Sequence, residues 1–365
     1  MTKKKPSGSS SNSVQKEIQR ADREVLRLLS DRARAAQKLA KMRQQSGEPL
    51  YDLIDEQIGL TDLLAQNKGP LSEVAVRSIY REILGASRSL VKPIRVSYLG
   101  PRYSFSHLAA IDRFGDGPDL TPVATIKAVF ESIHFHQTDF GIVPIENSTD
   151  GRIIDTLDMF ARLPTRITGE VELPIHHHLL GKCPRGEVLE VYSKPQALSQ
   201  CRDWLAKNLS QAKVIEMTST AIAAQIATDK VGAAAIASME AGTHYGLTVI
   251  DSNIEDNKNN VTRFAVIGGE MPHRTGHDKT ALMLEIAHKP GSLADTMLVF
   301  KRNRLNLTWI ESFPMPGSKN EYLFFVELEG HQTDSRVKKA LEALKRRTAR
   351  LELLGSYPKA ASVKA

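Results

Sequence analysis

Residues 259–269 read NNVTRFAVIGG, a polar entry followed by a short apolar run. Phe264 to Ile267 has the composition of a strand that must be buried. The polar GGEMPHRTGHD stretch, residues 268–278, closes it as a linker. A threonine and an arginine stand at the mouth of that strand. Two readings are open. Thr262 has β-propensity and Arg263 suits an exposed edge. Alternatively, a hydroxyl and a fixed cation are held at a strand end for an anionic substrate.

Upstream, from Arg95 onward, short apolar strands at 95–99, 139–143, 187–192, 213–217, 232–237 and 262–267 alternate with helical patterns at 106–114, 125–133, 151–162, 196–207 and 220–228. That alternation predicts an α/β unit over residues 94–270, with mostly parallel strands and enough length for two lobes and a cleft. Before Pro93 the period changes. Ile18, Ala21, Val25, Leu28, Arg32, Ala35, Leu39 and Met42 follow steps of three and four, a heptad seam over residues 14–45. Such a helix is about 45 Å long, more than its own short domain can bury. Helices near 52–66 and 72–90 follow, with Ser72 as N-cap of the last. Residues 14–92 therefore read as an all-helical domain paired with a second copy of itself. Downstream, residues 279–357 read strand, helix, strand, strand, helix, strand, the order of an α+β ferredoxin-like sandwich. The opening MTKKKPSGSSSNS, residues 1–13, reads as a disordered tail.

Composition narrows the function classes. At 365 residues the chain exceeds one ordinary domain, and 41% hydrophobic with 25% charged residues is globular. No apolar run approaches ~18 residues, so no membrane span is expected. The charged N-terminus lacks the apolar region of a secretory signal. Cys183 and Cys201 make neither a disulfide framework nor a metal-ligand spacing, which suits a reducing cytoplasm. Residues 1–92 carry +6 of the net charge of +7, three of it from Lys3, Lys4 and Lys5 of the tail, but aromatic interleaving and nucleic-acid motifs are absent. Scattered arginines fit a small dianionic ligand better.

Ligands of open α/β sheets gather beyond strand carboxyl ends, at helix N-termini. LGPRYSFSHLA (99–109) puts Ser104 and Ser106 at one such junction. GIVPIENSTDGRIIDTL (141–157) puts Glu146 and Asn147 at another, with Ser148 or Thr149 as helix cap. YSKPQAL (192–198) has Ser193 ahead of a proline suited to a first helical turn. Each alone is explained by capping; with Thr262 and Arg263 they make four polar strand ends. His176, His177 and His178, read as one strand, would alternate faces and could not share a metal. Arg32, on the helical seam, reads either as a snorkelling or acid-paired residue or as an internal anion site.

At these residues the chain resembles a known family. YLGP with FSH (98–101, 105–107), VPIENST (143–149), ITGEVELPIHH (167–177), PQALSQC (195–201) and NNVTRF (259–264) are similar to the prephenate dehydratases. Residues 14–91 resemble the chorismate mutase domain, and residues 279–357 the amino-acid-sensing ACT domain, of the bifunctional P-proteins. The resemblance implies loss of the ring hydroxyl and of carbon dioxide from prephenate, giving phenylpyruvate, with no metal or organic cofactor. It implies Thr262 hydrogen-bonding the departing hydroxyl and Arg263 holding a carboxylate. Glu146, Asn147, Ser148, Thr149, Gln196, Phe264 and Ser104 would surround the substrate. It further implies phenylalanine as effector at Gly291, Ser292, Leu293, Glu311 and Ser312, and a homodimer or homotetramer. A non-catalytic amino-acid sensor and a two-lobed solute-binding protein are the rival readings.

The chain also departs from the family. Tyr103 stands where glycine is frequent, Lys194 where histidine is, and Phe313 where the ESRP motif has arginine. In the helical domain Arg32, Arg43, Asp52, Glu56 and Ser87 match the chorismate site. Gln15, Asp55 and Val91 instead replace an arginine, an arginine and the glutamine expected at the breaking ether. Mutase activity is therefore expected to be weak or absent unless Lys16 or Arg20 substitutes.

Overall fold

The computed structural model describes residues 8–48, 50, 53–314 and 322–360. The chain divides at Pro93 into two compact units. The first is helical: α1 (Gly8–Ser46), α2 (Leu53–Gln66) and α3 (Glu73–Ser89). Ser72 caps α3 by accepting the Ala75 N–H at 3.2 Å. Helix α1 begins six residues ahead of its expected start at residue 14, because lengthening a formed helix costs little per residue. Along it, Val25, Leu28 and Met42 stay more than half exposed within the single chain.

The second unit opens with β1 (Arg95–Leu99), α4 (Phe105–Phe114), β2 (Asp119–Val123), α5 (Ile126–His134), β3 (Phe140–Asn147), β4 (Gly151–Arg152), α6 (Ile154–Arg162) and β5 (Ile167–Pro174). The chain then builds a second lobe from β6 (His178–Gly181), β7 (Glu190–Ser193), α7 (Pro195–Gln200), α8 (Arg202–Asn208), β8 (Lys213–Glu216), α9 (Thr220–Asp229), β9 (Ala233–Ala237), α10 (Met239–His244) and β10 (Thr248–Asp251). It returns to the first lobe as β11 (Val261–Gly268). The sheets run β2-β1-β3-β11-β5 and β10-β6-β9-β7-β8.

The expectation of mostly parallel strands needs correction. Strand β1 is parallel to β2 and β3, but β11 runs antiparallel to both β3 and β5. In the second sheet β9-β7-β8 is parallel, whereas β6 pairs antiparallel with β9 and β10. The reason is the double crossing between lobes: β5 leaves the first lobe, and β11 comes back into it beside β5 in the opposite sense. The histidine triplet is also not one strand. Only His178 lies in β6, after a break at residues 175–177.

The remaining elements are β12 (Asp278–Ile286), α11 (Ser292–Arg302), β13 (Leu307–Pro314), β14 (Tyr322–Glu329), α12 (Ser335–Lys345) and β15 (Arg350–Pro358). They form an antiparallel sheet, β13-β14-β12-β15. One face packs on its own helices through Leu282, Leu284, Val299, Phe300, Val326 and Leu344. The other shares a core with the first lobe, where Met283, Phe313, Phe325 and Tyr357 meet Val143, Ile145, Phe160 and Ile167. Contact there is close enough that a Cβ on Gly355 would sit 2.0 Å from the Ile167 carbonyl oxygen, so only glycine fits.

Candidate active site

A cleft of about 470 Å³ lies between the two lobes. Strands β3 and β11 supply its floor. In their ladder Thr262 stands opposite Asn147, and Arg263 opposite Glu146. Successive side chains on a strand point to opposite faces. Thr262 and Phe264 therefore share the cleft face with Asn147, while Arg263 and Glu146 point the other way.

The Asn147 amide orders the Thr262 hydroxyl. Its Oδ1 accepts the backbone N–H groups of Thr149 at 2.9 Å and Asp150 at 3.0 Å, so Nδ2 is the donor end. That NH₂ group donates to Thr262 Oγ1 at 2.8 Å and to Asn260 Oδ1 at 2.9 Å. With a lone pair of Thr262 held by Asn147, the hydroxyl hydrogen is left for a ligand. Thr262, Asn147 and Asn260 are all buried, so these bonds operate away from bulk water.

Of the residues singled out in the sequence, Thr262, Asn147, Gln196, Phe264 and Ser104 line the cleft together. Glu146, Ser148, Thr149 and Arg263 do not. Ser148 and Thr149 cap no helix, since a short hairpin through β4 precedes α6, whose N-cap is Ile153. Ser148 Oγ accepts the Val261 N–H at 2.9 Å, and Thr149 Oγ1 donates to Asn260 Oδ1 at 3.3 Å. Both pin the entry of β11. Ser193 is buried and donates to the Ile236 carbonyl, leaving Lys194 at the N-cap of α7.

Arg263 is the largest departure from expectation. Its guanidinium bonds Glu146 at 2.9 Å, Glu170 at 2.9 Å and Glu327 at 2.7 Å. Lys279 adds contacts of 2.9 Å to Glu170 and 3.2 Å to Glu327. The Tyr357 hydroxyl donates to Glu327 at 2.9 Å. The cluster joins the floor strand to the C-terminal sheet. Burial opposes the charge on Arg263, yet Glu327 and Glu170 outweigh it and hold the guanidinium protonated beyond the ordinary arginine range. Burial likewise works against Glu327, and Arg263 with Lys279 reverses it, holding its carboxyl below the usual value. A substrate carboxylate in the cleft is thus not what this side chain faces.

Other groups take the cationic side of the cleft. Lys194, at the N-cap of α7, lines it, as do the first residues of α4, α5 and α9. Helix N-termini present free N–H groups and partial positive charge. Ser219, N-cap of α9, and the adjoining Thr218 and Thr220 line it too, although sequence reading passed over them. Their signal was another polar run at a strand-to-helix junction. Gln200, one turn after Gln196, and His177 were missed as well. Each histidine of the triplet has its own setting: His176 Nδ1 lies 3.0 Å from Glu255, His177 Nε2 lies 2.9 Å from Gln200, and His178 Nδ1 accepts the Asn253 N–H. Tyr103 has φ of 65°, a backbone that glycine adopts freely, in keeping with the glycine that the resemblance leads one to expect there. Its ring stacks on His244 at 4.0 Å, offsetting that strain.

A second cavity, of about 420 Å³, lies within the helical unit. Arg32, Arg43, Glu56 and Ser87 line it; Asp52 lies outside the described residues. Arg32 donates to Ser87 Oγ at 2.6 Å, and among the described residues no acid pairs with this seam arginine. Arg43 pairs with Asp55 at 3.1 Å. Arg88, which sequence reading missed, is buried and pairs with Glu56 at 3.0 Å. Val91 makes part of the wall apolar.

A family model for prephenate dehydratase matches residues 96–272, and one for chorismate mutase type II matches residues 14–92. A bifunctional chorismate mutase/prephenate dehydratase of Aquifex aeolicus is 42% identical over 352 residues, covering 95% of this chain and 97% of that one. The chain belongs to the bifunctional chorismate mutase/prephenate dehydratase family. The Pseudomonas aeruginosa member is 38% identical over 94% of this chain and 96% of its own. Among solved structures, prephenate dehydratase of Arthrobacter aurescens in complex with L-Phe superposes with a TM-score of 0.69 at 31% identity, covering 73% of this chain and 90% of that one. Among the described residues of this family member, no helix is long and apolar enough to cross a membrane.

Proposed function

We propose that the cleft converts prephenate to phenylpyruvate, carbon dioxide and water, with Thr262 as the donor to the departing hydroxyl. The observation that carries this is the Asn147 amide, which holds a lone pair of Thr262 and leaves its hydrogen to the ligand. Decarboxylation sends an electron pair into the ring and expels the hydroxyl, which takes a proton from solvent to become water. Negative charge builds on that oxygen, where an oriented donor stabilises the transition state more than the ground state. A threonine is too weak an acid to give its proton away outright, so it polarises the leaving group. Lys194, Gln196 and the helix N-termini of the cleft supply donors for the two carboxylates, while the Ser104 hydroxyl already donates to the Leu99 carbonyl. Ultraviolet assay of phenylpyruvate formation by the purified chain tests this; no product above the uncatalysed rate overturns it.

In the helical cavity Asp55 and Glu56 already neutralise Arg43 and Arg88, leaving Arg32 as the arginine there bonded to a neutral group. With Val91 in the wall, a dianion with a breaking ether bond meets fewer donors than the reaction needs. Chorismate disappearance is expected to be at least about 100-fold slower than dehydration, because each missing transition-state contact removes about 2–3 kcal/mol. Matching rates for the two substrates would reject this and make the chain fully bifunctional. The exposed apolar seam of α1 suits burial against a second copy, as a homodimer or a homotetramer built from one.

The C-terminal sheet is the proposed effector domain, with phenylalanine the first ligand to test because a relative binds it. Gly291 opens α11 in a left-handed conformation, followed by Ser292 and Leu293. Glu311, two residues before Phe313 on β13, pairs with Arg152 at 2.7 Å, and Ser312 lies between them. Phe313 is buried in the core shared with the first lobe, which explains an apolar residue where the motif has arginine. Calorimetry on the full chain is expected to show phenylalanine binding together with a change in dehydration rate. No heat with phenylalanine, tyrosine or tryptophan would remove the effector assignment.

A further inference from the structure

Hydrogen-bond directions continue past Asn147 and end on an atom with no partner. Asn260 Oδ1 is an acceptor, so its Nδ2 donates, to Gln200 Oε1 at 3.0 Å. Gln200 Nε2 donates to Asp150 at 2.8 Å, which independently makes Oε1 the acceptor end. His177 Nε2, 2.9 Å from that same Oε1, must then carry a hydrogen. Burial holds the imidazole below its ordinary pKa, which favours the neutral ring. A neutral ring protonated at Nε2 has a bare lone pair on Nδ1. That atom is buried and lacks a hydrogen-bond partner among the described residues, in a side chain that forms part of the cleft wall beside Phe105. Buried unsatisfied acceptors are uncommon and costly, and a ligand donor is the ready explanation.

From this we infer that His177 is a substrate-recognition residue whose Nδ1 accepts the hydrogen of the ring hydroxyl that Thr262 polarises. The two contacts are complementary. Thr262 donates to the hydroxyl oxygen, and His177 accepts the hydroxyl hydrogen, so the group is gripped from both ends. Accepting that hydrogen does not help the oxygen leave. The role is therefore in binding and orientation, and it belongs in KM more than in kcat. The amide relay through Asn147, Asn260 and Gln200 sets both ends at once, since it fixes the Thr262 hydrogen and the His177 tautomer. This inference rests on the dehydratase reading.

Two substitutions separate recognition from mere support of the relay. A His177→Gln side chain still reaches Gln200 with its amide but offers nothing at the Nδ1 position. A His177→Asn side chain places an oxygen near Nδ1 and loses the bond to Gln200. Recognition predicts that His177→Gln raises KM for prephenate about tenfold, the scale of one neutral hydrogen bond, with kcat within a few-fold, and that His177→Asn recovers most of the loss. The reverse ranking, or a wild-type KM in His177→Gln, overturns the inference. Should either variant fail to fold, ¹⁵N NMR of the histidines in the unmodified chain decides. A signal for neutral His177 protonated at Nε2 upholds it, and one protonated at Nδ1 overturns it. Failure of the unmodified chain to consume prephenate retires the functional reading instead, whatever the tautomer.

Discussion

Thr262→Val is expected to lower kcat for phenylpyruvate formation by roughly 10²–10³, the range for losing one positioned transition-state donor. Valine keeps the branched shape that the strand packs, and the fold is expected to persist. The Asn147 amide loses one acceptor and retains its bond to Asn260. KM is expected to change much less than kcat, because the interaction strengthens as charge develops on the leaving oxygen. Steady-state kinetics with prephenate checks both numbers. A valine variant with near-normal kcat would mean that the hydroxyl ordered by Asn147 serves the strand rather than the reaction.

Arg263→Met is expected to cost stability, about 3–5 kcal/mol in equilibrium denaturation, as when one partner of a buried ion cluster is removed. Among the described residues, Glu170 and Glu327 would keep only Lys279 as cation. If Arg263 instead held a substrate carboxylate, the variant would raise KM with stability little changed, and denaturant titration beside kinetics distinguishes the two. The cluster also predicts a dependence on pH. Glu327 has a folded pKa below its ordinary 4.5, so its contribution is present above that value and is lost as pH falls through the lower folded one. Burial, then the nearby Glu327 and Glu170 carboxylates, push Tyr357 well above its ordinary 10.0. Its contribution is present below that value and fades as pH rises above it. In Arg263→Met the acid-side loss is expected to shrink, because Glu327 is no longer held low by the guanidinium. An unchanged acid limb would show that other carboxylates dominate it.

Local patterning made much of the molecule legible. The heptad seam of α1, the cap at Ser72 and the strands at 95–99 and 262–267 follow from periodicity and capping chemistry, which act between near neighbours in the chain. Thr262 was legible as a hydroxyl at a strand mouth. Strands β2, β5 and β10 were not, because each is short or polar enough that its pairing, not its composition, makes it a strand; β6 was legible only as part of a longer strand-like run that begins too early. Helix α10 was passed over for the same reason of length. The antiparallel entry of β11 was hidden too, since sheet sense depends on where a distant segment returns. Thr262 and Arg263 are adjacent in sequence, and strand alternation alone says that they face opposite ways. Which of them faces the ligand is a tertiary decision. Packing of the C-terminal sheet against the first lobe brings Glu327, Lys279 and Tyr357 under Arg263, and closure of the second lobe brings Gln200 and His177 to the Thr262 side. The sequence by itself determined that a hydroxyl and a cation stand at that strand. Only the tertiary structure decided that the hydroxyl meets the cleft while the cation binds the domain behind it, because the partners of each come from segments remote in the chain.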